Sequence, residues 1–255
     1  MADSKGSRFE GKVAIVTGGC KGIGKGIVDV FVENGGKVAI FDIDDKLGGT
    51  LNSGEILYVN CNVTIEESIR TAVNTVVDKF GQIDCLVNNA GISVRTSLES
   101  STMEDFRRLL DINLVAYFGT IKCAIPHLRK TKGSVVNISS INGIMANQST
   151  GFYNASKGGV TALTKSFAID EVKNGVRVNS ISPGVIDTPM FQAVIQQQPP
   201  EFLHRWESIS QMHRLGSPRE IGLACLFLAT DATFCTGVDL LCTGGAELGF
   251  GTKIN

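Results

Sequence analysis

The amino-acid sequence predicts an α/β fold, a single doubly wound three-layer sandwich around a central parallel sheet of about seven strands. Three observations predict it. Short β-branched runs alternate with longer stretches of helical period, as β-α crossovers require. The strand candidates are apolar at nearly every position rather than every second one, the pattern of a sheet covered on both faces. With 255 residues, 43% hydrophobic and 19% charged, the chain can bury one sizeable core and is too apolar to be disordered. One domain over 1–255 is therefore expected.

In chain order, the first strand is expected at Val13 to Thr17, and a glycine-rich turn then opens a helix over Lys25 to Glu33. Strands follow at Val38 to Asp42 and Ile56 to Asn60. Thr64-x-x-Glu67 has the spacing of a capping box and marks a helix start. After a strand at Cys85 to Val87, a second box, Ser101-x-x-Glu104, begins an unusually long helix, Thr102 to Leu128. Pro126 is expected to kink or end it, and its length suggests a second role at a subunit interface. A strand at Ser134 to Ser139, a helix over Phe152 to Lys173 and a strand at Val176 to Ser182 come next. From Pro183 to His213 strand character is lost, and Pro189, Pro199 and Pro200 stand among Gln, Met, Phe and Trp, so a substrate lid is expected over 184–214. Ser217-Pro218-Arg219-Glu220 is a third capping box with proline at the first helical position, and Val238 to Cys242 is the last strand.

Composition also excludes function classes. A net charge of -1 offers no electrostatic footprint for nucleic acid, and no run reaches the ~20 apolar residues of a bilayer span. The seven cysteines include no CxxC pair and read as reduced core thiols; with the polar stretch Met1 to Lys12, they point to a cytoplasmic protein. His127, His204 and His213 lack His-Glu-x-x-His spacing and no Cys/His cluster appears, so no metal site is expected. No Gly-x-Ser-x-Gly elbow suggests a hydrolase.

Two constellations carry chemistry. The first is Thr17-Gly18-Gly19-Cys20-Lys21-Gly22-Ile23-Gly24. Its glycines at 18, 22 and 24 allow a tight turn and let backbone N–H groups approach a pyrophosphate at a helix N-terminus. Asp42 ends the second strand and can accept hydrogen bonds from ribose hydroxyls; its charge, with Asp44 and Asp45 close behind, opposes a 2′-phosphate and favours NAD over NADP. Lys21 argues mildly the other way.

The second constellation is Tyr153 and Lys157, one helical turn apart, with Ser140 at the end of a strand and Asn113 in the long helix. Oxidising an alcohol by hydride transfer requires a base for its hydroxyl proton, and a free phenol of pKa ~10 is a poor one. A lysine ammonium ~5 Å away stabilises the phenolate by roughly 3 kcal/mol, about two pKa units. Ser140 suits the substrate oxygen, and Asn113 suits a water linking Lys157 to solvent.

With these motifs the sequence resembles the short-chain dehydrogenase/reductase family from Lys12 to about Gly245. The resemblance rests on the glycine loop, Asn88-Asn89-Ala90-Gly91, Asn113, Ser140, Tyr153 with Lys157, and Pro183-Gly184 with Thr188. It implies a Rossmann-fold oxidoreductase with an Asn113-Ser140-Tyr153-Lys157 tetrad and a small alcohol or ketone as substrate. Asn89, Ala90 and Gly91 are implied to stabilise the sheet and line the cofactor, and Ile186 and Thr188 to contact its carboxamide. Homodimers or homotetramers built on the long helices are implied as well. One departure is Asn62-Val63, where the family usually has Asp-Val; the amide oxygen is expected to accept the adenine amino group instead.

The stretches Phe234 to Gly237 and Thr243 to Gly251 resemble the hydroxysteroid dehydrogenases of that family, which implies a secondary alcohol such as a 17-beta-hydroxysteroid or a cyclic sugar hemiacetal. Met190, Phe191, Phe202, Trp206 and Phe250 suit such an apolar ring. Asn142, Asn147, Gln148 and Gln192 suit a cyclic sugar hemiacetal, and a dinucleotide-sensing protein without turnover is a third reading.

Overall fold

The computed structural model describes residues 7–196, 198–199 and 201–248. Pro200 of the expected lid, and the C-terminal stretch from Gly249 with Phe250, lie outside the described residues.

Seven strands form one sheet: β1 (Val13–Thr17), β2 (Lys37–Asp42), β3 (Ile56–Asn60), β4 (Cys85–Asn88), β5 (Ser134–Ile138), β6 (Arg177–Pro183) and β7 (Asp239–Cys242). Their order is β3-β2-β1-β4-β5-β6-β7 with every pairing parallel. This is the expected doubly wound Rossmann-like sheet. β6 runs on through Pro183, which sequence placed just beyond the strand. The connecting helices are α1 (Gly22–Glu33), α2 (Asp45–Gly48), α3 (Glu66–Phe80), α4 (Met103–Leu110), α5 (Ala116–Thr131), α6 (Gly151–Glu171), α7 (Pro189–Ile195), α8 (Glu201–Glu207) and α9 (Pro218–Ala229).

The unbroken apolar runs have the predicted cause. Ala14 and Val16 of β1 pack with Ile27, Val28 and Phe31 of α1 and Ile221 and Leu226 of α9. Val13 and Ile15 point the other way, onto Ile69, Val73 and Val76 of α3, Ile121 and Leu128 of α5 and Ala168 of α6. Side-chain alternation thus feeds two cores from one strand. One buried polar chain crosses the core: Thr120 donates to Asn88 at 2.6 Å, Asn88 to Asn137 at 2.9 Å, and Asn137 to Thr164 at 2.9 Å, which ties β4 and β5 to α5 and α6.

Three helix expectations need correction. The Thr64 box does not form: Thr64 donates to Asn62 Oδ1 at 2.8 Å, and α3 starts after Ile65 with no side-chain cap. The Ser101 box shifts by one residue, because Ser101 donates to the Ser97 carbonyl while Thr102 accepts from the Asp105 N–H at 3.0 Å. Pro126 does not end its helix. Ala124 and Leu128, both buried, hold α5 in place on either side of it until Lys132 turns left-handed at φ 51°.

Between α4 and α5 the chain makes a π-helical turn, Asp111–Val115, so Met103–Thr131 is one continuous helix. By length and composition alone it could cross a membrane; here it packs one face on the sheet through Tyr117, Ile121 and Leu128.

Candidate active site

A cleft of about 1980 Å³ opens at the C-terminal ends of β1, β2, β4, β5 and β6. That is larger than the roughly 300–1,000 Å³ typical of one small ligand, and it lies at the switch point between β1 and β4 where the winding reverses. Gly18, Lys21, Gly22, Ile23, Asp42, Asn62, Val63, Asn89, Ala90, Gly91, Ser140, Tyr153, Lys157, Pro183, Gly184, Ile186 and Thr188 all line it.

At the nucleotide end the turn is tight for a stated reason. A Cβ at Gly24 would meet the Gly18 carbonyl oxygen at 2.1 Å, so no larger residue fits there. Thr17 Oγ1 accepts from the N–H groups of Asn89 and Ala90, and Asn89 Nδ2 donates to the carbonyls of Thr17 and Gly18 at 2.9 and 3.1 Å. These bonds weld the loop to the end of β4. Lys21 precedes α1 without capping it by its side chain, and no acidic residue stands in the first turn. The leading N–H groups are therefore left to an anion, which is the fit a dinucleotide pyrophosphate requires.

Asp42 is fixed by accepting from the N–H groups of Cys20 at 3.1 Å, Ile43 at 2.8 Å and Asp44 at 3.2 Å. Lys21 Nζ lies 3.9 Å from Asp44, so that cation faces a neighbouring carboxylate. Burial, helped by Asp42, pushes the Cys20 thiol up to about 12 and leaves it unreactive. Asn62 departs from expectation. Its oxygen accepts from both the Thr64 N–H and hydroxyl, so the group free for an adenine edge is the NH₂, a donor rather than an acceptor.

At the chemical end, Ser140 follows β5, while Tyr153 and Lys157 project from the first two turns of α6. Burial raises the Tyr153 phenol and the Ser140 hydroxyl pulls it back down. Lys157 is 4% exposed, and burial lowers it to about 7. Burial therefore works against the ammonium form that the sequence reading gives Lys157, and that charge has to be supported by the groups around the amine. Lys157 Nζ donates to the Ile138 carbonyl at 2.7 Å and lies 5.8 Å from the centre of the Tyr153 ring.

Asn113 sits in the π-helical turn, fully buried. Its side chain accepts from the Ile92 N–H at 2.9 Å and donates to the Ile92 carbonyl at 2.9 Å and to Ser156 at 3.2 Å. Both NH₂ hydrogens are thus spent on protein, so the side chain clamps the loop after β4 and keeps one lone pair of Oδ1 in reserve. Gly91 lies where a Cβ would stand 3.2 Å from Asn113 Oδ1 and 3.7 Å from Lys157 Nζ.

Thr188 caps α7 by accepting from the Phe191 N–H at 3.2 Å, with Pro189 next, and Ile186 bridges to Gly216. Of the expected substrate-facing residues, Asn142, Asn147, Met190, Phe191 and Trp206 line the cleft. Gln192 instead donates to Asp187, Gln148 is not among the lining residues, and Phe202 packs 6.0 Å from Trp206. Sequence reasoning passed over a charged part of the wall, Arg95 with Glu104, Arg107, Arg108 and Asp111. Arg95 stacks over Trp206 at 5.4 Å. Nothing in their spacing distinguishes these residues from a solvated helix face. Among the described residues no group of His, Cys, Asp or Glu is arranged to hold a metal.

Comparison with known proteins agrees with this geometry. A family model described as enoyl-(acyl carrier protein) reductase matches residues 18–247. The L-fucose dehydrogenase of Bos taurus is 46% identical, over 97% of this chain and 94% of that protein. The L-fucose dehydrogenase of Oryctolagus cuniculus is 43% identical over 98% and 90%. Among solved structures, the ligand-free aldohexose dehydrogenase of Thermoplasma acidophilum superposes with a TM-score of 0.89 at 32% identity, covering 97% of this chain and 98% of that one. These names correct the steroid expectation: the likeness is to L-fucose dehydrogenases rather than to 17-beta-hydroxysteroid dehydrogenase type 14. A Rossmann-like sheet, a dinucleotide-shaped glycine turn and likeness over nearly the whole chain lead to one conclusion, that this oxidoreductase of CH–OH donors, with its nicotinamide dinucleotide, belongs to the short-chain dehydrogenase/reductase family.

Proposed function

We propose that the protein is an NAD-dependent sugar dehydrogenase that oxidises the anomeric hydroxyl of a free aldose, in the manner of L-fucose, to a lactone. The observation that carries the substrate class is the wall of the cleft formed by Arg95 stacked on Trp206. An aromatic plate edged by a guanidinium, with Asn142 and Asn147 also on the wall, suits a polyhydroxylated ring better than an apolar one. The 46% identity to an L-fucose dehydrogenase supports the same reading.

When bound, the nicotinamide dinucleotide supplies the hydride acceptor. The rest falls to the chain. Ser140 holds the substrate oxygen, Tyr153 takes its proton, and Lys157 supplies positive charge beside the phenolate. Asn113 holds the loop carrying Asn89, Ala90 and Gly91 against α6, while Ile186 and Thr188 border the carboxamide. Asp42 selects NAD, since its carboxylate favours ribose hydroxyls and repels a 2′-phosphate. The segment 184–214, with α7 and α8, acts as a lid. The seven unpaired thiols support a cytoplasmic setting. Exposed Met103, Val115, Phe118, Ile169 and Val172 on the long helices support a homodimer or homotetramer, as yet another function of Met103–Thr131.

The test is an absorbance assay of NAD⁺ and NADP⁺ against L-fucose, other aldoses and 17-beta-hydroxysteroids. Turnover of an aldose with NAD⁺ is expected, and Tyr153→Phe should reduce it at least ~10²-fold. Turnover confined to steroids, or a preference for NADP⁺, would overturn the corresponding assignment. Saturable NADH binding without turnover of any alcohol would point to the sensor reading instead.

A further inference from the structure

Beneath the amine of Lys157 lies a second phenol that sequence reasoning left out. Tyr117 is on α5, four residues past Asn113, and only 1% exposed. Its hydroxyl donates to the Ile138 carbonyl at 3.1 Å, the same oxygen that accepts from Lys157 Nζ at 2.7 Å. Lys157 Nζ also donates to the Tyr117 hydroxyl at 3.4 Å and stands 5.3 Å from the centre of its ring. The amine is therefore flanked by two phenol rings, Tyr117 from α5 and Tyr153 from its own helix.

We propose that Tyr117 is a positioning residue for Lys157, its hydroxyl holding the amine in place and favouring its charged form beside Tyr153. The inference rests on the reading that Lys157 serves Tyr153. Two of the amine's hydrogens go to Ile138 and Tyr117, and one position, a proton when charged and a lone pair when neutral, remains for the cleft. Burial and the nearby Tyr153 phenol raise Tyr117, so it stays a neutral dipole throughout the working range. No charged side chain of the described residues perturbs the amine. Its neighbours are Tyr117 on α5, Tyr153 on α6, the Ile138 carbonyl on β5, and Gly91 with Asn113 across the loop after β4. The Ile138 carbonyl and the Tyr117 hydroxyl are then the local support an ammonium has against desolvation.

The test needs no substrate. Protein carrying lysine labelled with ¹³C at Cε is titrated by NMR, and the signal absent from Lys157→Met is assigned to Lys157. Its midpoint is expected near 7 in the unmutated protein. In Tyr117→Phe, which keeps the ring and removes the hydroxyl, the midpoint is expected to fall by about 0.5–1 unit. An unmoved midpoint, within about 0.2 unit, overturns the proposal, and a lowered melting temperature alongside it assigns Tyr117 to packing only. In the unmutated protein the ¹³Cζ signal of Tyr117 must move through the same midpoint as Lys157; a flat trace overturns the proposal without any variant. Tyr153→Phe, assayed in parallel for aldose turnover, separates the two levels. Retained turnover would end the role of Tyr153, whereas lost turnover with an unmoved Tyr117→Phe midpoint would end only this inference.

Discussion

Lys157 shows how burial sets a side chain's chemistry. Lowered from 10.5 to about 7, it binds its proton less tightly folded than unfolded. Between these two values the unfolded chain carries the extra proton, so stability rises with pH across that window, and the full penalty applies below about 7. Lys157→Met is accordingly expected to raise the melting temperature of the dinucleotide-free protein, and by more at pH 6 than at pH 9. Thermal melts at the two pH values check this, and a larger gain at pH 9 would contradict it. The same residue was legible in sequence because its partner stands one helical turn away and Ser140 lies close upstream. Tyr117 was not legible. Its spacing from Asn113 is that of any core aromatic, and only the folded chain shows that it shares a carbonyl with the amine.

Elements were legible where burial writes an unbroken apolar run, which is why all seven strands fall within a residue or two of expectation. Helix starts were less so. A hydroxyl three residues before a carboxylate recurs in neighbouring registers around Ser101 and Thr102, and a local bond to Asn62 removes Thr64 from capping. The box at Ser217 does form, with Ser217 and Glu220 each accepting from the other's N–H at 3.3 and 2.8 Å. Ser217→Ala should therefore destabilise the fold by about 1 kcal/mol, measured by urea unfolding with an unchanged slope. No loss would mean that the ion pair in which Arg214 donates to the Glu220 carboxylate holds the start of α9 without the cap. The π-helical turn left no mark in sequence, since a fifth residue in a turn changes neither composition nor polarity.

At the scale of the molecule, the exposed apolar residues of the long helices bear on assembly. Sedimentation should give two or four times the mass of one chain, and Phe118→Glu with Ile169→Glu should lower it; a monomer in the unmutated protein would remove the assembly proposal. The strand order also divides the labour. In the proposed reading the loops after β1 and β2 grip the dinucleotide alone, whereas those after β4, β5 and β6 serve both the dinucleotide and the substrate. An engineer who wants a biocatalyst for another alcohol can therefore graft new versions of the loop around Arg95 and of the segment carrying α7 and α8, leaving the frame and its redox currency as they are.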